Sequence, residues 1–320
     1  MRRRTLFTGL AAVGAAGTAA AVFGRSALAD SEAAAAKANY QVAITEQVSN
    51  KVMIFARNSK WDNAHMLRSF RPGGGGGWSN LSDVKFRETH KYNNIGLFTC
   101  SGGNVGVWNL KSERHQEFND VLWWATPGGN PHAIERIPHN GSVVTASSKG
   151  YISVYGPKSA VMSSLGKKAV QTFGLPGAHG VLWDEVSNLL WAVGDKTVRS
   201  YKVTGSGRGT RLREAGARIK LPGLGHDLQA DHSNKGRLLV TDTKGVYEIT
   251  KSNRGIREIR QADHVKSFCR HSSGEAFWTI PNWPKPSNWR TNTVGFDGGY
   301  SRKRGGAGIY KARLFYPKYQ

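Results

Sequence analysis

His179-Gly-Val-Leu-Trp-Asp-Glu-Val-Ser-Asn188, running directly into Leu189-Leu-Trp-Ala-Val193, is the stretch that decides the fold. A histidine opens a short strand-like run, a polar turn ends in Asn, and an apolar strand follows. The same phrase begins at His132, at His226 and at His264. Each copy leads into another apolar strand: Ser142-Val-Val-Thr-Ala146, Arg237-Leu-Leu-Val-Thr241 and Glu275-Ala-Phe-Trp-Thr279. His132, His179 and His226 stand 47 residues apart, and the last gap is 38. A repeat of β-type segments with a period near 40 is the mark of a propeller, whose blades bury their faces against one another.

Working outward, six hairpins align as second and third strands of such blades. They are Val42–Glu46 with Lys51–Phe55, Gly96–Cys100 with Val105–Trp108, and Val143–Ser147 with Tyr151–Tyr155. Then come Leu190–Val193 with Thr197–Tyr201, Leu238–Thr241 with Gly245–Ile249, and Phe277–Ile280 with Asn292–Phe296. The sequence therefore predicts an all-β, six-bladed β-propeller over residues 40–320 as one domain, with seven blades as the alternative count. Outer strands are expected at His65–Phe70, Gln116–Leu122, Val170–Leu175, Arg218–Leu221, Ile256–Arg260 and Ile309–Tyr316. Either chain end could complete the first blade. A pair of β-sandwiches is the competing architecture, but the repeated histidine phrase has no purpose there. Gly73–Gly77 precedes neither a Lys-Ser/Thr pair nor a helix, so it reads as a flexible linker and not a phosphate loop.

The N-terminus is not part of this pattern. Arg2-Arg-Arg-Thr-Leu-Phe7 leads into a Gly/Ala-rich apolar run, and Ser26-Ala-Leu-Ala29 offers a small-x-small cleavage site. Residues 1–29 are expected to be a signal peptide, of a type resembling the twin-arginine signal, with residues 30–39 as a linker. The apolar part is too short and weak for a permanent membrane span. These features predict a secreted protein that is a monomer.

The full chain carries 45 basic and 22 acidic residues, a formal charge of +23. Removing residues 1–29, with four arginines and no acids, leaves 41 basic against 22 acidic, or +19. Such an excess points to an anionic partner. Outside the cell this means an acidic polysaccharide or another extracellular polyanion, with no nucleic acid expected. The two cysteines, Cys100 and Cys269, fall in different blades and read as half-buried thiols. No Cys/His spacing matches a structural zinc site.

Strand direction alternates within a blade. The start of each innermost strand and the turn between its second and third strands therefore share one face of the disk. His132, His179, His226 and His264 are expected at that opening, with Asp83 taking the same place in the second blade through the match of Ser82-Asp-Val-Lys85 to Asp263-His-Val-Lys266. Glu46, Asp242 and the loop 281–290 with Trp283 and Trp289 belong to the same face. His139, His232 and His271 fall on the other. One use of such histidines is to hydrogen-bond the next blade and hold the ring together. The other is to surround a ligand, with general acid and base roles among them. A divalent metal is a further option, held by His179, His226 and His264. Lys85, Arg136 and Lys266 could neutralise a carboxylate, and Trp283 and Trp289 could stack on sugar rings. Glu46 and Asp242 could form a glycosidase pair. No Gly-x-Ser-x-Gly or His-Glu-x-x-His is present.

Pro131-His-Ala-Ile134 and Ala178-His-Gly-Val-Leu-Trp-Asp184 resemble the Pro-His-Gly-Ile repeats of NHL-type propellers and streptogramin lyases. The chain as a whole, from Ala43-Ile-Thr-Glu-Gln47 to Trp289-x-Thr-Asn-Thr293, resembles a group of secreted bacterial six-bladed propellers of unknown function. More loosely, it is similar to propeller polysaccharide lyases. That resemblance implies a His, Arg or Lys centre, sometimes with a metal, that neutralises a uronate and removes its C5 proton. The leading expectation is thus a secreted propeller that binds or cleaves an acidic polysaccharide, possessing lyase chemistry if it is an enzyme. Its base would be His226 or His264. The alternatives are a non-catalytic module for cell-wall polyanions or a protein partner, and a metal-dependent hydrolase.

Overall fold

The computed structural model describes residues 39–159, 161–282 and 289–320. The expected signal peptide, nearly all of the linker, and Trp283 lie outside the described residues. Residues 39–320 form one compact unit. Its strands group into six sheets, antiparallel except for one short parallel pair in the first, and the only helical turns among the described residues are short 3-10 segments. This is a six-bladed β-propeller. Among the described residues no helix is long and apolar enough to cross a membrane.

Each sheet runs from an inner strand at the axis to an outer edge. The second blade is Leu81–Thr89, Asn93–Cys100, Val105–Asn109 and Val121–Ala125. The third is Pro131–Arg136, Val143–Ser147, Tyr151–Tyr155 and Gln171–Gly174. The fourth is Gly180–Asp184, Leu189–Val193, Thr197–Thr204 and Arg211–Glu214. The fifth is Gly225–Ala230, Arg237–Asp242, Gly245–Thr250 and Ile256–Gln261. The sixth is Ser267–Arg270, Ala276–Thr279, Thr293–Phe296 and Ser301–Lys303. All six expected hairpins are present.

The first blade shows how the ring closes. Its inner strand is Ile309–Leu314, from the far end of the chain, paired antiparallel with Gln41–Glu46. Lys51–Ala56 and Met66–Phe70 complete it. Ile309–Tyr316 was expected on an outer edge. It is instead the strand that ties the two ends together, because its residues alternate into a fully buried environment. Two other outer strands differ from expectation. Val121–Ala125 closes the second blade, while His115–Gln116 pairs in parallel with Met66–Phe70. Arg211–Glu214 closes the fourth, and Ile219–Lys220 only touches the start of Thr197–Thr204.

The core lies between blades. Ala146, Val154, Val181, Trp183 and Ala192 pack together across the third and fourth blades. Trp108 is buried against Phe70, 4.3 Å between ring centroids, and reaches Phe98 at 5.8 Å. Gly96 sits directly opposite Trp108, and a Cβ there would come within 2.1 Å of the indole. Only glycine lets that ring lie flat on the neighbouring strand. Cys100 and Cys269 are both buried free thiols in separate blades.

Candidate functional site

The inner strands share a local irregularity that builds the site. In the second, third and fifth blades the ladder slips at Leu81/Asp83, opposite Ala146/Ser147, and at Gly225/Asp227. The extra residues are Ser82, His132 and His226. In the first blade Tyr310 and Lys311 together oppose Thr45. In the fourth and sixth, the N–H groups of His179 and Lys266 donate to Val193 and Thr279 at 2.9 Å, the same carbonyl-bearing residues that Gly180 and Ser267 face in register. A two-against-one bulge re-aims consecutive side chains toward the same side. Six equivalent positions therefore circle the axis: Tyr310, Ser82, His132, His179, His226 and Lys266.

Five of these six line a hollow of about 530 Å³ at the mouth of the channel, together with Gln47, Asn80, Asn130, Trp289 and Arg290. The His132 and His179 rings stack at 4.5 Å, and His179 meets His226 edge-on at 5.7 Å. The Nζ of Lys266 is 3.1 Å from Nε2 of His226 and 4.3 Å from the centre of the Trp289 ring. The Tyr310 hydroxyl approaches Nδ1 of His132 at 3.4 Å. Nδ1 of His179 lies 2.7 Å from the Gly177 carbonyl, so that nitrogen carries the proton and Nε2 the lone pair. Ser82 turns away into the seam, donating to the Pro131 carbonyl at 2.6 Å.

Burial, followed by the neighbouring His179 and Lys311, holds His132 well below the ordinary imidazole range. Burial, then Lys266 and His179, does the same to His226. Burial lowers His179 to about 4. Burial and the nearby Lys311 bring Lys266 down to about 7. At neutral pH the mouth is thus a wall of uncharged imidazoles with one amine poised between its two protonation states.

One level deeper, charge plugs the channel. Arg313 is forked between two carboxylates: its Nε donates to Asp83 at 2.8 Å, and its Nη1 and Nη2 donate to Asp227 at 2.8 and 2.7 Å. Lys311 reaches Asp227 at 3.3 Å, and Lys85 stands 3.6 Å from Asp83. Burial alone would raise Asp227, but Arg313 and Lys311 outweigh it and hold it at about 2. The far end is covered by the last residues of the chain. Tyr319 donates to the Arg136 carbonyl at 3.0 Å, and Arg87 lies over its ring.

Several predicted site residues sit elsewhere than expected. Asp83 is one residue beyond the ring position, because the bulge gives that place to Ser82. It and Lys85 lie in the buried plug; Lys85 donates to the carbonyls of Ile134 and Val181. Arg136 ends its strand at the opposite face, beside Tyr319. His264 precedes the ring position by two residues, and Lys266 holds that position. His264 adopts φ 55, as Asn80 (58), Asn130 (62) and Gly177 (60) do at the equivalent turn. Its ring is 6.4 Å from His226 and 6.1 Å from Trp289. Glu46 accepts from the backbone N–H groups of Val48, Ser49 and Gly308. Asp242, at the same place in its blade, accepts from Gly223, Lys244 and Gly245. These carboxylates lock turns and seams, and neither lines the mouth. Among the described residues no group of three or more His, Cys, Asp or Glu side chains is arranged to hold a metal ion. Tyr310, Lys311, Asp227 and Arg313 were missed. Stepping about 40–50 residues along from His226 would have reached Lys266 and then Tyr310.

These features define a six-bladed propeller with a basic, imidazole-lined mouth. Residues 61–318 match the model of a family of unknown function, DUF6528, and the chain belongs to that family. No curated protein matches the sequence. Among solved structures, a functionally unknown protein from Desulfotomaculum acetoxidans DSM 771 superposes with a TM-score of 0.53 at 12% identity, covering 88% of this chain and 82% of that one. The WD40 domain of Toxoplasma gondii coronin gives 0.48 at 11% identity, covering 83% and 65%. Saccharomyces cerevisiae Sqt1 gives 0.46 at 11%, covering 85% and 68%. The first of these likenesses supports the propeller fold alone.

Proposed function

We propose that this propeller binds an acidic saccharide at the mouth. The observation that carries this is the composition of the wall: Lys266 and Arg290 line it, and among the described residues no carboxylate does. A carboxylate entering so desolvated a place gains a charge-assisted bond to Lys266 and favours its protonated form. The neutral imidazoles and the amides of Gln47, Asn80 and Asn130 offer hydrogen bonds to hydroxyls without competing charge. Trp289 adds an apolar surface at the rim. The formal charge of the chain acts in the same direction over longer range. The proposed place of action is outside the cytoplasm, on the signal-like residues 1–29. Calorimetric titration with galacturonate and with galactose tests the reading: the acid binds and the neutral sugar does not. Equal binding of both, or of neither, removes it.

A second reading, β-elimination, is favoured by one observation, the Lys266 amine with its affinity for protons near neutrality. A general base works best when its pKa is close to the working pH. Unprotonated Lys266 would take the C5 proton of a uronate whose carboxylate Arg290 offsets. The electron pair forms the C4–C5 double bond, the C4–O bond breaks, and the departing oxygen takes a proton from Tyr310. The repeats that resemble those of streptogramin lyases point the same way. Ultraviolet absorbance of an unsaturated uronate product tests it. Silence across uronate polymers removes elimination and leaves binding standing.

A further inference from the structure

A second hollow of about 320 Å³ adjoins the first, and the two share Gln47 and Asn80 in their walls. Its other boundaries are Lys51, Arg71 and the glycine run Gly73–Gly75. Among the described residues it too is lined by two cations and no carboxylate. Among the described residues neither Lys51 nor Arg71 is held in an ion pair.

The glycine run, expected as a flexible linker, forms one wall of this hollow. Asn50 donates from Nδ2 to the Trp78 carbonyl at 2.6 Å, and the Leu81 N–H donates to Oδ1 of Asn50 at 3.1 Å. The Trp78 N–H bonds the Gly75 carbonyl at 3.1 Å, and the Trp78 ring packs on Gly73. Trp78 is in turn held against Phe118 and Trp124, at 5.1 and 5.6 Å. Gly73 and Gly75 adopt φ 120 and 71, which side-chain-bearing residues rarely tolerate. A Cβ on Gly74 or Gly75 would meet nothing within 4 Å, so the backbone faces open space. Bare backbone beside two cations outside any ion pair suits the close approach of an anionic chain.

We propose that this hollow is a second subsite continuous with the mouth, and that the ligand is an acidic oligosaccharide of at least two charged residues. The spacing of chemistry matches such a polymer. Cations stand at both ends, Lys266 and Arg290 in one and Lys51 and Arg71 in the other. The amides of Gln47 and Asn80 lie between, where a linked uronate presents hydroxyls. Gln47 is pinned there by its Nε2 bond to the Leu81 carbonyl at 2.9 Å. The inference rests on the mouth reading.

The test is calorimetric titration with galacturonic acid and its dimer and trimer, with maltotriose as an uncharged control. The dimer or trimer gains about tenfold or more in affinity over the single sugar, because the second contact is made at high effective concentration. Joint Lys51→Ala and Arg71→Ala substitution erases that gain and leaves the affinity for the single sugar unchanged, which also reports an intact fold. If the single sugar binds but longer ones bind no better, or if the double variant keeps the gain, the subsite is overturned and the mouth reading survives. If no galacturonate binds, or maltotriose binds as well, the mouth reading falls and takes the subsite with it.

Discussion

Lys266 of the sixth blade occupies the place that His226 occupies in the fifth, and its Nζ stands 3.1 Å from the Nε2 of that histidine. A lysine thus follows three imidazoles in a ring of six equivalent positions. Burial and Lys311 discourage its charge, and among the described residues no carboxylate lines the hollow to restore it. An incoming anion would restore it.

The amine should therefore be reactive at unusually low pH. In competitive labelling with an amine-acylating reagent, Lys266 should half-titrate near 7, whereas an ordinary exposed lysine does so near about 10.4. If elimination occurs, kcat/KM should rise as pH climbs through about 7, because the base must lose its proton. Affinity for an acid should fall over the same interval, because the binding cation is lost. Labelling of Lys266 at the pace of exposed lysines contradicts both.

Stability should fall in mild acid. His132, His179 and His226 are held neutral in the fold, below their unfolded values. From about pH 6.5 downward the unfolded chain binds protons that the folded chain refuses, so the fold loses up to about 1.4 kcal/mol per pH unit for each imidazole. For His179 this window runs from 6.5 to about 4. Denaturant midpoints measured through that range check it, and His179→Gln should flatten the slope. A flat profile in the parent protein contradicts the buried, neutral ring.

Arg313 should be structural. Arg313→Met strands Asp83 and Asp227 in the channel and should cost about 3–5 kcal/mol, as breaking a buried pair does. Asp227 gives the fold stability above its unfolded pKa, and that part is lost only as pH falls toward about 2. Loss of saccharide binding with an unchanged melting temperature would contradict this assignment.

Glu46→Ala and Asp242→Ala should each destabilise by about 1.5–3 kcal/mol, the scale of hydrogen bonds to a charged group. Each carboxylate accepts three backbone N–H bonds, and neither reaches the mouth. Below their melting temperatures both variants should bind saccharide as the parent does. A folded Asp242→Ala protein that binds nothing would restore the carboxylate to the site.

The propeller was legible because a histidine at each inner-strand start recurs with the length of a blade, and hairpins of apolar strands surround it. The detail of the mouth was less so. A bulge adds one residue without a signature of its own, which moved the ring position from Asp83 to Ser82. In the sixth blade the residue type changes, so His264 drew the eye although Lys266 keeps the spacing better. His264 occupies a left-handed turn that Asn80, Asn130 and Gly177 fill elsewhere. Tyr310 and Arg313 stayed hidden because ring closure by the last strand depends on pairing between residues more than 260 positions apart, such as Ile44 with Ala312. The acids Glu46 and Asp242 were visible as carboxylates, but their backbone partners come from neighbouring turns that no local pattern announces.

The most direct test is titration of the protein with digalacturonate at about pH 6, where the Lys266 amine is charged, beside the same titration of Lys266→Met. The parent should bind the acid, and the variant, which keeps the length of the side chain without its charge, should bind at least about tenfold more weakly, a difference of about 1.4 kcal/mol. Undiminished binding by a folded Lys266→Met protein would contradict the account.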